Sequence, residues 1–425
     1  MTNVSENYTA ADDVMMCKES DRQALLQFKQ SLQPVDQSVN SSLSPWDKRD
    51  CCEWMGVGCS KLTGYVERIE LHGYHWLVAG TISPSLLKLQ HLSYIDLGYN
   101  DFNGSLIPEF IGSLKNLTYL DLSFANFRRP ILSQRGNLSM LEILFLGGDV
   151  FSLRYSTHFF HHKSEKVFSV GDLDPLSHLS SLKNLYLGFT DLTKASDWSQ
   201  SSLISLINSS TFVTTLHLAG NNLTSSATYP WLFSVSRKLK VLDRSMNQLK
   251  GPIPESNFGN MVSLKDLYLS DNQLESGING SVLYEIAKLS SLRALDLGYN
   301  HLNGTISESI GQLSKLLLLR LAWNSFDNVV ISEAHFSNLT RLRALVSSGI
   351  SLTLKFNSGG IPPFHNLHVM MLRSYKLGPC FPEWLRTQIH LRALHISATE
   401  SSDSLPYWFW DCHTPRLRHT MAILP

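Results

Sequence analysis

Along most of this chain, short runs in which every second residue is apolar alternate with longer polar stretches. In "LSYIDLGYN" (92–100), "LKDLYLSDN" (264–272) and "LLLLRLAWN" (316–324), leucine or isoleucine holds the first, fourth and sixth positions and asparagine the ninth. A period of two predicts a short strand with its leucines on one side and the intervening residues on the other. One such strand cannot bury its own leucines, so a repeated pattern predicts a stack in which each unit covers the next. The asparagine falls where the chain leaves the strand. Its amide both donates and accepts, which suits backbone groups that the turn leaves unpaired.

The units begin at Val66, Leu92, Leu117, Leu141, Leu182, Val213, Leu239, Leu264, Leu292, Leu316, Leu342, Leu367 and Leu391, with a partial unit at Leu417. Most spacings are 24 to 28 residues; the exceptions are 41 after Leu141 and 31 after Leu182, which places an irregular insertion at 149–176. Asparagine holds the ninth position at Asn100, Asn221, Asn247, Asn272, Asn300 and Asn324. Ala125, Asp149, Thr190, Ile350, Tyr375 and Thr399 replace it elsewhere, so the outer thirds are expected to be less regular than the middle. Arg244 and Ser347 stand at third-leucine positions, where a guanidinium must snorkel out or find a partner.

This pattern is the leucine-rich repeat. Segments such as "LKGPIP" (249–254), "LNGTIS" (302–307) and "FNGSLIP" (102–108) resemble the plant subclass. That resemblance implies a right-handed α/β solenoid with a parallel concave sheet, a second short strand and a 3₁₀ turn on the convex side.

Residues 17–64 precede the repeats and read as an amino-terminal cap: "CKESDRQALLQFKQSLQ" places Ala24, Leu25, Phe28 and Leu32 on one helical face. Without a cap the first coil would expose its leucines. Cys17, Cys51, Cys52 and Cys59 allow three pairings, and a zinc site competes with them; adjacent Cys51 and Cys52 do not readily bond to each other. "DRQALLQFK" and "CCEWMGVGC" resemble the leucine-rich-repeat amino-terminal domain of plant receptors, which implies Cys17 with Cys51 and Cys52 with Cys59. Cys380 and Cys412 fall at different points of their repeats and are expected to be unpaired.

"LSHLSSLKNLYLGFTDLTKASDW" (176–198), "KLGPCFPEWLRTQ" (376–388) and "SDSLPYWFWD" (402–411) resemble plant receptor-like proteins of the ethylene-inducing-xylanase-receptor type. The resemblance implies an extracellular module that recognises a peptide, protein or glycan in defence signalling, acting through co-receptor and adapter receptor-like kinases. A secreted inhibitor or decoy similar to polygalacturonase-inhibiting proteins is the alternative, and a nonfunctional fragment the third reading. "LRHTMAILP" breaks the repeat after Pro415, so a truncated ectodomain is expected, with membrane attachment only through a carboxy-terminal anchor beyond it. Residues 1–16 carry Asp12 and Asp13 where a secretory signal has its apolar core, and are expected to be disordered.

Composition narrows the partners. The 36 basic and 36 acidic side chains cancel, which argues against nucleic acid and polyanions generally. Sequons occur at Asn3, Asn7, Asn40, Asn103, Asn116, Asn137, Asn208, Asn222, Asn279, Asn303 and Asn338, well above chance placement, and point to glycosylation in a secretory route. No P-loop, nucleophile elbow, zinc-protease or kinase motif is present, so a non-enzyme without cofactor or metal is expected. "HFFHHKSEK" (158–166) reads as a protruding insertion and "KASDW" as packing within an irregular repeat.

The residues between the leucines face the concave side and include Tyr94, Tyr99, Tyr119, Phe124, Phe145, Tyr186, Phe189, Tyr268, Tyr299 and Trp323. Exposed rings favour binding because they offer rigid contact area; cross-strand stacking is the competing role. The candidate ligand site is Tyr99, Phe124, Tyr186, Phe189, Tyr268, Arg293, Asp296, Tyr299, Arg320 and Trp323, with Ala294 and Gly298 projecting beside them.

Overall fold

A computed structural model describes residues 16–34, 46, 48–72, 78–127, 138–147, 176, 178–190, 192, 213–224, 237–253, 261–276, 282–355, 364–373, 381, 383–396 and 407. Most of the 149–176 insertion, "KASDW", Asp149, Tyr375, Thr399, Cys380, Cys412 and the sequons at Asn3, Asn7, Asn40, Asn137, Asn208 and Asn279 lie outside them.

The cap opens with a helix, Glu19–Ser31, that buries Ala24, Leu25 and Phe28. Asp21 on its inner side accepts the backbone N–H of Val66 at 2.9 Å, tying the helix to the first repeat. Disulfides join Cys17 to Cys51 and Cys52 to Cys59. Trp46 and Trp54 stack with centroids 5.4 Å apart, and their indole N–H groups donate to the carbonyls of Met55 and Lys48, so both polar tips are satisfied within an apolar cap.

From the cap onward the described residues form a sheet of 14 strands that follows chain order. Val57–Cys59 pairs antiparallel with Val66–Glu70, and each later strand, from Tyr94–Asp96 to Ala393–His395, adds in parallel. The central residue of each strand from Tyr94–Asp96 onward is Leu, Ile or Met facing inward: Ile95, Leu120, Leu144, Leu185, Leu216, Leu242, Leu267, Leu295, Leu319, Leu345, Met370 and Leu394 are all buried. Behind them Phe102 and Phe127 stack at 4.7 Å, continuing the core toward the convex side. Second strands occur at Lys250–Pro252 with Gln273–Glu275 and at Asp327–Ser332 with Ser351–Lys355, and 3₁₀ turns at Pro84–Lys88, Glu109–Ser113, Glu308–Gln312, Glu333–Phe336 and Glu383–Thr387.

The asparagines form a ladder of buried amides. Asn247 accepts the N–H groups of Asn221 (3.0 Å) and Leu223 (2.9 Å) and donates to the carbonyls of Leu218, Arg244 and Ser245 (2.9, 3.1 and 2.9 Å). Asn272 and Asn300 repeat the arrangement. Where asparagine is missing the sheet keeps its register: the Thr190 hydroxyl lies 2.7 Å from the Leu187 carbonyl and 3.0 Å from the Asn221 amide oxygen, substituting in part. Among the described strands, pairing is therefore as regular in the outer repeats as in the middle, because the leucines fix it.

Arg244 does not snorkel out; it is 1% exposed, its stem and head both within the coil. Ser347 is equally buried, beside a small apolar cavity lined by Leu319, Leu321, Phe336 and Leu345 among others. Its hydroxyl has no hydrogen-bond partner among the described residues. Ser347→Val removes that unpaired group and fills the space, so it is expected to raise stability by about 1 kcal/mol. Urea titration checks this, and an unchanged midpoint would show that water already satisfies the hydroxyl.

Candidate recognition surface

The concave residues fall into columns set by strand register. The column between the second and third leucines runs Asp96, Asp121, Phe145, Tyr186, His217, Asp243, Tyr268, Asp296 and Arg320. Its rings pair with each other: Phe145 stacks on Tyr186 at 3.8 Å and Tyr186 on His217 at 4.6 Å, while Tyr94 and Tyr119 in the neighbouring column stack at 4.0 Å. The faces of Tyr186 are thus covered by neighbours, and its half-buried edge is what meets solvent.

The carboxylates of this column turn back on their own strands. Asp296 Oδ1 accepts the Gly298 N–H at 3.0 Å and its Oδ2 takes a bond from Arg320 at 3.3 Å, leaving Asp296 only 3% exposed. Ala294 and Gly298 are buried as well. The expectation that Asp296, Ala294 and Gly298 project into solvent is corrected accordingly: short side chains on a tightly spaced sheet are shaded by longer neighbours.

Asp121 Oδ1 accepts both the N–H and the hydroxyl of Ser123, at 2.8 and 2.6 Å, and Asp96 lies 3.1 Å from His72 Nδ1. Burial, reinforced by the charge of Asp96 and opposed by the Ser123 bonds, pushes the Asp121 carboxyl up to about 7. The hydrogen bond to Asp96 raises the His72 imidazole. Ligating atoms of His72, Asp96 and Asp121 approach within 4.8 Å of one another, as do those of the four cap cysteines. Turn bonds account for the carboxylates and disulfides for the thiols, so neither group requires an ion.

A second column holds the residue just before each ladder position, and its backbone is left-handed at every described position. Positive φ occurs at Tyr99 (58°), Phe124 (49°), Phe189 (60°), Met246 (55°), Asp271 (57°), Tyr299 (55°) and Trp323 (56°), with Gly220 and Gly349 in the same column. Bulky residues rarely adopt this conformation; here the backbone is held on both sides, the N–H groups of Tyr299 and Trp323 donating to Ala322 and Ser348 at 2.8 Å. Each ring leans over the next repeat. A Cβ on Gly220 would lie 2.5 Å from Phe189 and one on Gly349 2.7 Å from Trp323, so those glycines provide both the φ and the room.

The predicted site residues divide by exposure. Tyr299 and Trp323 are 47% and 46% exposed, with rings 6.0 Å apart and 19° from parallel, and Arg293 is also exposed. Tyr99, Phe189, Tyr268 and Arg320 are half-buried. Phe124 is buried at 8% between Tyr99 and Phe189, so its assignment to an exposed face is corrected: it packs its neighbours. The described sequons Asn103, Asn116, Asn222, Asn303 and Asn338 are all exposed. Sequence reasoning missed His72 and the Asp96–Asp121 pair. It also missed the left-handed column, although glycines alternating with rings at that position were a legible signal.

Three comparisons place this geometry. Residues 18–60 match the family described as "Leucine rich repeat N-terminal domain", and residues 209–227 and 291–313 match leucine-rich-repeat families. The receptor-like proteins EIX1 and EIX2 of Solanum lycopersicum are 32% and 30% identical to it, over 93% of this chain and 51% of each relative. The chain thus spans about half the length of the curated relatives it matches. Among solved structures, the ectodomain of the receptor kinase GASSHO1/SCHENGEN3 from Arabidopsis thaliana, in complex with CASPARIAN STRIP INTEGRITY FACTOR 2, aligns over 89% of this chain and 44% of that one. Its TM-score is 0.57 and its identity 23%. The Arabidopsis receptor kinase HAESA ectodomain, in complex with an IDA peptide hormone, covers 92% and 75%, with TM-score 0.51 and 23% identity. At that identity the structural likeness shows the fold.

Proposed function

We propose that this chain, which carries leucine-rich-repeat matches and resembles plant receptor-like proteins over nearly all its length, is an extracellular ligand-recognition module. It binds a peptide, protein or glycan signal in defence and passes the event to partner receptor kinases rather than performing chemistry. The observation that carries this reading is the Tyr299–Trp323 pair: two large rings held half in solvent by a left-handed backbone that the coil itself enforces. A soluble protein gains little from exposing a tryptophan, whereas a pre-positioned ring contributes contact area without loss of rotamer freedom on binding. The complex of the HAESA ectodomain with an IDA peptide hormone supports a peptide or protein ligand over a glycan. The exposed sequons support a secretory route.

The test uses immobilised ethylene-inducing xylanase as the probe. The double variant Tyr299→Ala, Trp323→Ala is expected to bind at least about tenfold more weakly, with a melting temperature close to the parent's. Unchanged capture would remove the pair from the site, loss of folding would make the rings structural, and no capture by the parent would exclude this ligand class.

A further inference from the structure

Register brings together one more column, the residue immediately after the first leucine of each unit. Backbone N–H groups there donate to the carbonyl one repeat earlier: Lys265 to Lys240 at 2.7 Å, Arg293 to Lys265 at 2.5 Å, Leu317 to Arg293 at 2.7 Å, Arg343 to Leu317 at 2.8 Å, His368 to Arg343 at 2.7 Å and Arg392 to His368 at 2.8 Å. These residues therefore sit at strand spacing, about 4.8 Å per step. Lys240, Arg293, Arg343 and Arg392 are exposed, Lys265 and His368 half-exposed.

The same column upstream reads Glu67, Ser93, Thr118 and Glu142, linked by the same bonds. Its sign changes at the Glu142–Lys183 ion pair, 2.7 Å apart. Beyond it, no ion pair among the described residues involves a member of the column; Asp266, one position further along the strand, is the carboxylate within the field of Lys265 and Arg293. Lys315 and Arg341, exposed just before the first leucines of their units, add to the charge. The zero net charge of the chain thus hides a stripe of five lysines and arginines spread over seven repeats, with Leu317 and His368 at the other two positions.

Like charges opposite one another on a sheet repel, so such a column raises the energy of the bare protein and lowers it only when an anion lies along it. We propose that the stripe binds a polyuronate, a polysaccharide with a carboxylate on every sugar. An extended peptide presents same-side residues about every 6.6 to 7 Å, out of step with the column. Single-stranded nucleic acid needs rings beside the cations for base stacking, and here the exposed rings stand at the opposite end of the strands. A polyuronate carries a carboxylate on every sugar of one extended chain and rotates about its glycosidic bonds, so it can turn anions toward the separated cations of the stripe while presenting no positive charge of its own. This site is additional to the ligand surface at Tyr299 and Trp323, and its test needs neither that ligand nor a kinase.

The experiment measures binding of demethylated oligogalacturonate to the purified chain by calorimetry at low and at physiological salt. Saturable binding that weakens steeply with salt is expected, since phosphate-like or carboxylate contacts release counterions. The variant Lys240→Gln, Lys265→Gln, Arg293→Gln, Arg343→Gln is expected to bind at least about tenfold more weakly and with a shallower salt dependence. An equal charge change elsewhere, Lys61→Gln, Lys88→Gln, Lys115→Gln, Lys288→Gln, is expected to leave affinity nearly unchanged. The proposal is overturned by absent binding to the parent, by equal loss in both variants, or by no loss in the first. Equally tight binding of a methyl-esterified chain also overturns it, and tighter binding of polyglutamate would assign the stripe to an acidic polypeptide instead.

Discussion

Asn247→Ala is expected to destabilise the central coils by about 3–5 kcal/mol, because one truncation strands several buried backbone groups at once. Its amide oxygen serves the N–H groups of Asn221 and Leu223, and its NH₂ serves the carbonyls of Leu218, Arg244 and Ser245. Water entering the vacated space recovers only part of these bonds. Asn324 provides the internal comparison: it is half-buried and makes three such bonds, to Leu302, Leu297 and Leu321, so Asn324→Ala is expected to cost clearly less. Denaturant titration of both variants checks the pair. Equal losses would mean that neither the burial of the amide nor the number of its bonds governs the ladder's contribution.

Asp121→Asn is expected to change the shape of the stability–pH curve more than its height. Burial holds the native carboxyl up to about 7 against an ordinary value of 3.8, so between those values the folded chain binds more protons than the unfolded one. Stability therefore falls as pH rises through that window, by at most about 4 kcal/mol, and the loss is complete above pH 7. Asparagine keeps an oxygen for the Ser123 N–H and hydroxyl but cannot ionise. The variant should match the parent near pH 4 and exceed it progressively toward pH 8. The raised His72 imidazole acts in the same direction, favouring the folded state at low pH; its hydrogen bond to Asp96, the largest cause, remains in both proteins, while the part due to the Asp121 charge is lost in the variant. A gap independent of pH would sink this account.

The leucines announced the fold because burial demands the same shape at every turn; from Ile95 to Leu394 the strand centres lie where period-two reading puts them. The cap helix was legible for the same reason, its inward face being Ala24, Leu25 and Phe28. The concave side was less so. Alternation tells which side a residue faces, not how far it reaches, and Asp296 and Phe124 face the right way yet are covered by Arg320, Tyr99 and Phe189. The left-handed column depends on backbone torsion that no apolar pattern encodes, although Gly220 and Gly349 marked it. The cationic stripe escaped a reading by total charge, since acids elsewhere cancelled it. It emerged only when residues 24 to 28 apart were laid side by side.

The ladder also bears on how the chain reaches its native state. Each asparagine bonds both to its own turn and to backbone of the preceding repeat, so each amide couples two neighbouring repeats across their boundary. In a one-dimensional array, nucleation starts where such couplings are strongest and spreads outward. The unbroken run from Asn221 to Asn324 makes the central five repeats the natural nucleus. The interfaces at Ala125 and Ile350, which lack the amide, are where propagation would pause and where native-state exchange would divide the molecule into separately opening segments.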